Sequence, residues 1–296
     1  MTPDIAGFSI TADQARRLNK RGDQHKHDHG HAVIISGPAG QGGAARLAAY
    51  GALRIGAGLV SVFCSHQSVS EHAARLDAVM VKPFDGQSGL EEQLLALKPA
   101  AVCVGPNFGL GADSRSKLIQ TLPVPIPICL DADAITLLAR EPDLIRSSTQ
   151  SQVVMTPHEG ELRRLIPHAF DQTTCRITLA KTAAQEFGCV VLFKGETTIV
   201  AQPDGYCVAI DSRTFKYATW LATAGSGDVL SGLITGLMAR GFEAFEAAAV
   251  GAHIHVQCAD AIGPGLIAED IPHAVPSVLR RIISSKAVDI EQRPTL

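Results

Sequence analysis

The sequence predicts an α/β domain: a mainly parallel central sheet, covered by helices on both faces, with an antiparallel edge. Three observations carry this. Short apolar runs alternate with segments of helical periodicity from residue 32 to about residue 193, the pattern of a parallel sheet buried on both sides. Two alternating runs then flank Pro203-Asp204-Gly205, a hairpin signal. Last, a glycine-rich turn, Gly225-Ser226-Gly227, opens into a helix with Val229, Leu230, Leu233, Ile234, Leu237 and Met238 at helical spacing.

In chain order, residues 1–31 are polar and read as a lead-in. They end in His25, His27, His29 and His31, which alternate. A solvated approach to the first strand explains these better than a metal site, because no acidic or cysteine ligand cluster accompanies them. Strands are expected at 32–36, 58–64, 78–81, 101–104, 126–130, 152–155 and 189–193, as short runs rich in Val, Ile and Leu. Residues 37–43, Gly-Pro-Ala-Gly-Gln-Gly-Gly, form a flexible turn. Helices are expected at 44–55, 67–75, 90–97, 114–122, 132–140, 158–165 and 173–187. The hairpin pairs 197–202 with 206–210. The glycine-rich element runs from 223 to 241, with Arg240 suited to the negative helix end and Gly241 to its stop. A further helix spans 245 to about 261. Residues 32–285 are taken as the working domain and the polar residues 286–296 as a frayed tail.

Composition limits the function. The chain has 296 residues, 46% hydrophobic and 19% charged, with a net charge of −3. That balance gives no footprint for nucleic acid or acidic lipid. Arg46, Arg54, Glu243 and Glu246 break the longest apolar stretches, so no membrane span is expected. The first residues lack the basic and apolar regions of a secretory signal. Seven cysteines without CxxC spacing fit free thiols in a reducing compartment, and a cytoplasmic location is expected.

The chemistry collects where strands end. The first turn of the 223–241 helix presents unpaired N–H groups and the positive end of the dipole, and glycine allows an anion to come close. Gly225, Ser226 and Gly227 therefore read as a phosphate cradle. Asp228, in the same turn, cannot be a second anion ligand and suits a base that takes a proton from an attacking hydroxyl. The alternative is dipole complementation in an ordinary loop. Gly105-Pro106-Asn107-Phe108-Gly109, Asp131 with Asp133, His158 with Glu161, and Lys194-Gly195-Glu196-Thr197-Thr198 each follow a strand. Each has a structural alternative: turn glycines, an Asp131 helix cap, a His158/Glu161 capping pair, a surface lysine. Together they place anion-binding backbone, a lysine, carboxylates and a base at one sheet edge.

These segments carry a resemblance. His25-Lys26-His27-Asp28-His29-Gly30, Gly43-Ala44-Ala45, the run from Ala52 to Val60, Asp131-Ala132-Asp133-Ala134, Thr156-Pro157-His158-Glu159-Gly160-Glu161, Phe193-Lys194-Gly195 with Thr198, the run from Gly225 to Gly232, and the run from Gly265 to Ile271 resemble the ADP/ATP-dependent NAD(P)H-hydrate dehydratases of the ribokinase-like superfamily. The likeness spans residues 25 to about 279. It implies a three-layer α/β/α ribokinase-like fold, and dehydration of hydrated NADH or NADPH by phosphorylation of the ring hydroxyl and elimination of phosphate. ADP or ATP would be consumed, ADP by preference, with Mg2+ on the phosphates. By the resemblance, Lys194, Gly195, Glu196, Thr197, Thr198, Gly225, Ser226 and Gly227 would hold the nucleotide. Ala44, Gly105, Gly109, His158, Glu161 and Asp228 would meet the hydrated cofactor, and Asp228 would be catalytic. No metal-ligating side chains are expected, and a homo-oligomer, a homotetramer, is. The epimerase domain that many relatives carry in front has no counterpart expected here. Two departures stand out: Ser226 where the family usually has Thr, and Asn107-Phe108 inside a loop that is usually Gly-Leu. A ribokinase-like kinase of hydroxymethylpyrimidine or hydroxyethylthiazole is the alternative function; a silent nucleotide-binding regulator is a third, against which Asp228 argues.

Overall fold

The computed structural model describes residues 5–84, 89–146 and 152–291. Its nine strands are β1 (His31–Ile35), β2 (Leu59–Cys64), β3 (Met80–Pro83), β4 (Ala101–Val104), β5 (Ile128–Leu130), β6 (Val153–Met155), β7 (Val190–Phe193), β8 (Thr197–Ala201) and β9 (Cys207–Asp211). They form one sheet in the order β3-β2-β1-β4-β5-β6-β7-β8-β9. Pairing is parallel from β3 through β7 and antiparallel across β7-β8-β9, as the alternation and the Pro203-Asp204-Gly205 turn predict.

The helices are α1 (Ala12–Leu18), α2 (Gly43–Arg54), α3 (Val69–Ala73), α4 (Leu90–Leu97), α5 (Ala112–Thr121), α6 (Ala132–Arg140), α7 (Asp143–Arg146), α8 (Glu159–Leu165), α9 (Pro167–Gln172), α10 (Arg176–Phe187), α11 (Ser226–Ala239), α12 (Ala244–Ile262) and α13 (Asp270–Glu291). They make two layers. Ala32 and Ile34 of β1 bury into a core with α2, α11, α12 and α13. Val33 and Ile35, pointing the other way, bury into a core with α4, α5, α6, α8 and α10. Strands covered on both faces have few polar positions, Ser61 of β2 being one, which is why they read as largely apolar runs.

The strand order reverses at β1: β2 and β3 lie on one side, β4 onward on the other. Such a point opens a crevice at the carboxyl ends of the strands. Helices α2 and α11 meet there without intervening side chains. A Cβ on Gly232 would overlap the Ala48 carbonyl, and one on Gly236 would overlap Ile55. The small-residue face of α2 thus packs inside the subunit.

Several elements differ from expectation. Pro125 and Pro127 deny ladder donors to the chain before β5, so that strand begins at Ile128 rather than 126. The third strand lies two residues later than predicted and ends at Pro83, which an edge strand tolerates. The helix expected at 67–75 shortens to α3 after a 3₁₀ turn at His66–Ser68. Within the polar lead-in, Thr11 and Gln14 form a capping box, and α1 buries Ala15 and Leu18. His25 and His27 are exposed as expected, but His29 is buried and His31 Nε2 lies 2.8 Å from Ser61 Oγ. No helix is expected after about residue 261, and Pro272 and Pro276 interrupt the local pattern there. Yet Ile271, Val275, Val278 and Ile282 are buried at helical spacing, and α13 accommodates Pro276 internally. It continues to Glu291, so the polar run from Lys286 is helical that far; residues 292–296 lie outside the described residues. No helix among the described residues is long and apolar enough to cross a membrane.

Candidate active site

The start of α11 is shaped by close packing. Gly225 has φ +88°, and a Cβ there would stand 2.7 Å from Leu47 Cδ1 and 2.9 Å from the Ala268 methyl; only glycine fits both demands. Ser226 Oγ donates to the Leu221 carbonyl at 2.6 Å. From α12, His255 Nε2 lies 2.9 Å from the Ser226 carbonyl; a carbonyl only accepts, so Nε2 carries the proton. Burial pushes His255 down to about 4, which keeps the ring neutral at pH 7.

Asp228 follows in the first turn, half-buried. Burial, the main cause, pushes its carboxyl up to about 7. The nearby charges of Asp131 and Asp133 add to this, and Lys194 opposes it. A carboxylate poised near neutrality is matched to proton abstraction at physiological pH.

Lys194 leaves the end of β7, with its N–H bonded to the Pro157 carbonyl at 2.8 Å. Arg176 holds this strand end: it stacks on Phe193 at 3.6 Å and donates to the Lys194 carbonyl at 2.8 Å. Lys194 Nζ donates to Asp131 Oδ1 at 2.8 Å, and Ser231 Oγ of α11 donates to Asp131 Oδ2 at 2.5 Å. Burial alone would raise Asp131; the charge and hydrogen bond of Lys194, with Ser231 and Thr156, outweigh it and hold the carboxyl below its ordinary value. Asp131 occupies the N-cap of α6 but makes no side-chain capping bond, so the cap alternative is not what this residue does.

A cavity of about 430 Å³ opens beside this group. Lys194, Gly195, Glu196, Thr198, Ser226 and Gly227 line it, over an apolar floor that includes Leu221, Leu230 and Val256. The volume is within the ordinary range for small-molecule sites. Two residues expected on the nucleotide lie just outside the wall. Thr197 pairs with Asp211 across β8 and β9, and Gly225 packs behind the turn.

The other expected contacts lie toward the switch-point crevice. Gly105 (φ +131°) lets the chain pass against the Asp131 carbonyl. Gly109 (φ +88°) donates its N–H to Asp133 Oδ2 at 2.8 Å. Asn107, one of the departures, donates Nδ2–H to the Gln41 carbonyl at 3.0 Å and so ties this loop to the 37–43 loop. Ala44 is half-buried on the first turn of α2. His158 and Glu161 do form a capping box at α8: His158 Nδ1 accepts from Gly160 N–H at 2.9 Å, and Glu161 Oε2 accepts from His158 N–H at 2.8 Å. The His158 ring remains exposed, and the Glu161 charge reaches Lys194.

With that geometry, comparison with known proteins is decisive. The family model for NAD(P)H-hydrate dehydratase matches residues 32–275. The chain belongs to the NAD(P)H-hydrate dehydratase family. Within it, the chain is 32% identical over 277 residues to the bifunctional NAD(P)H-hydrate repair enzyme of Escherichia coli, covering 91% of this chain and 50% of that protein. The chain spans about half the length of the curated relatives it matches. The fold is similar to that of the Bacillus subtilis ADP/ATP-dependent NAD(P)H-hydrate dehydratase co-crystallised with ATP and Mg2+, with TM-score 0.78, 24% identity, and coverage of 95% of this chain and 99% of that one. It is also similar to a ribokinase-like superfamily protein of Enterococcus faecalis, with TM-score 0.73, 23% identity, and coverage of 92% and 95%. The three-layer fold is thus ribokinase-like.

Sequence reasoning assigned no role to several residues that the structure brings to these strand ends and helix starts. Asp131 and Ser231 were visible in motifs, but their mutual bond depends on strand order. His255 sits in a small-residue helix that reads as core. Glu71 accepts from Gly40 N–H at 2.8 Å and Gly42 N–H at 2.9 Å, filling the start of α2; nothing local marks it. Among the described residues no group of three His, Cys, Asp or Glu side chains could hold a metal.

Proposed function

We propose that the protein converts hydrated NADH or NADPH back to the reduced cofactor, consuming ADP or ATP, with residues 32–285 as the catalytic domain. The observation that carries this is Asp228: a carboxyl near neutrality, in the first turn of a helix, beside a cavity lined by Lys194 and Gly227. Family membership supplies the substrate class.

In this reading the helix start and Lys194 bind the terminal phosphates of the nucleotide, and Gly195, Glu196, Thr197, Thr198, Gly225 and Ser226 shape the rest of its seat. Ala44, Gly105, Gly109, His158 and Glu161 orient the hydrated cofactor. Asp228 takes the proton of the ring hydroxyl as the hydroxyl oxygen attacks the terminal phosphorus; the bond from that phosphorus to its bridging oxygen breaks, and AMP leaves from ADP, or ADP from ATP. The ring carbon–oxygen bond then breaks, the oxygen leaves on phosphate, and a ring proton is released as the double bond re-forms. Phosphate leaves far more readily than hydroxide, which is why a nucleotide is consumed in a dehydration. Mg2+ bound together with the nucleotide would neutralise part of its phosphate charge, beside Lys194. A cytoplasmic homo-oligomer, a homotetramer, completes the proposal; sedimentation equilibrium tests that state.

The test is incubation with hydrated NADH and ADP or ATP, following the return of reduced-cofactor absorbance. Recovery coupled to phosphate release is expected. A stable phosphate ester of an added alcohol, with no recovery, would instead mark a kinase.

A further inference from the structure

We propose that Asp131 is a positioning residue: clamped by Ser231 and paired with Lys194, it fixes the lysine against the phosphate cradle and sets the pH at which Asp228 works. This rests on the reading of Asp228 as the base.

The geometry is costly and specific. Asp131 is 1% exposed, and each carboxylate oxygen is taken, one by Lys194 at 2.8 Å and one by Ser231 at 2.5 Å. A buried ion pair gives little net stability over apolar residues of similar size, so stability does not account for it. The backbone is distorted to hold it. Ala132, next in the chain, has φ +45°, a left-handed conformation unfavourable to a residue with a Cβ. Gly105 is bare where any Cβ would overlap the Asp131 carbonyl. The pair lies against the cradle: the Cβ position of Gly227 is 3.4 Å from Lys194 Nζ and 4.0 Å from Asp131 Oδ2.

The consequence for Asp228 follows from charge. Asp131, just after β5, and Asp133 of α6 oppose its ionisation; Lys194 favours it. Glu161 of α8 acts on Lys194, raising its proton affinity, and Lys194 in turn disfavours a charge on His255 of α12. Asp131 acts twice. It repels the Asp228 carboxylate directly, and it absorbs the Lys194 charge that would otherwise hold that carboxylate ionised at low pH.

The experiment is Asp131→Asn, isosteric but uncharged, with Ser231→Ala as a second variant that loosens the clamp and keeps the charge. The first readout is the carboxyl carbon NMR titration of Asp228 in the full chain, which needs no turnover. The second is the acid limb of kcat with hydrated NADH and nucleotide. In Asp131→Asn the titration and the limb move down together by about one unit or more. In Ser231→Ala the nucleotide KM rises severalfold with a smaller shift of the limb. A folded Asp131→Asn protein whose Asp228 titration matches the wild type overturns the proposal. If Asp131→Asn does not fold, an unchanged nucleotide KM in Ser231→Ala overturns it. Absence of turnover in the wild type, with the titration shift intact, would count against the dehydratase reading alone.

Discussion

Helices α2 and α11 pack side by side, and each follows a glycine-rich turn at the carboxyl edge of the sheet. Their starts are nevertheless opposite in chemistry. At α2 the turn is closed from within: Glu71 of α3 takes the N–H groups of Gly40 and Gly42, and Arg46 pairs with it at 3.0 Å. At α11 the carboxylate belongs to the helix itself, and Gly227 and Ser226 face the cavity. The two carboxyls respond accordingly. Burial alone would raise Glu71, but Arg46 and the two N–H groups outweigh it and hold it below its ordinary value. Half-buried Asp228 is pushed up to about 7 by burial, with Asp131 and Asp133 adding to the shift and Lys194, already paired with Asp131, opposing it. A glycine-rich turn before a helix is therefore not an anion site in itself. What decides is whether another part of the chain already supplies the anion.

The largest expected effect that tests this contrast is at Asp228. Asp228→Asn lowers the single-turnover rate by about 10²–10⁴-fold, with both ligands still bound in calorimetry. The same variant reports on burial. Because the folded value lies above the ordinary one, the wild type loses stability as pH rises from about 4 to 7. Asp228→Asn escapes that loss, so its thermal midpoint exceeds that of the wild type at pH 8 and converges with it near pH 4. A rate close to wild type would remove the base and leave the two helix starts functionally alike.

Next in size is the lysine. Lys194→Ala weakens nucleotide binding by roughly 10–100-fold, as expected for a charge-assisted contact, and binding of the hydrated cofactor by much less. His158→Ala shows the reverse, raising the apparent constant for the hydrated cofactor by about three- to tenfold in the same assay, the loss of a single hydrogen bond. Equal losses for both ligands in either variant would merge the two sides of the site.

Gly232→Ala tests the shared packing on which both starts depend. Its methyl would collide with the Ala48 carbonyl, and urea unfolding is expected to show a loss of about 1–3 kcal/mol. Wild-type stability would mean that α2 and α11 separate freely. The smallest effect is at Glu71. Glu71→Gln costs about 1 kcal/mol, the ordinary worth of hydrogen bonds at a partly exposed site, and leaves nucleotide affinity unchanged. Its pH dependence is opposite to that of Asp228. The contribution is full above the ordinary glutamate value and vanishes as pH falls through the lower folded one. Tighter nucleotide binding in Glu71→Gln would show that the closed turn can be opened.

The sequence by itself determined what depends on spacing along the chain. Apolar runs and helical periodicity placed the parallel strands, Pro203-Asp204-Gly205 the hairpin, and the run from Gly225 to Asp228 the helix start with its carboxylate. Lys194 was legible because a lysine closing an apolar strand must emerge at the strand's end. Helix α13 escaped, although Ile271, Val275, Val278 and Ile282 carry its stripe, because its prolines contradict the local rule and only packing overrides them. The electrostatic character of the site belonged to tertiary structure. The Lys194–Asp131 bond joins residues 63 apart, and the Ser231–Asp131 bond residues 100 apart. Glu71 reaches Gly40 across 31 residues. These partners meet only once the strand order fixes which ends are neighbours, and proton affinity depends on distance and burial rather than on sequence position.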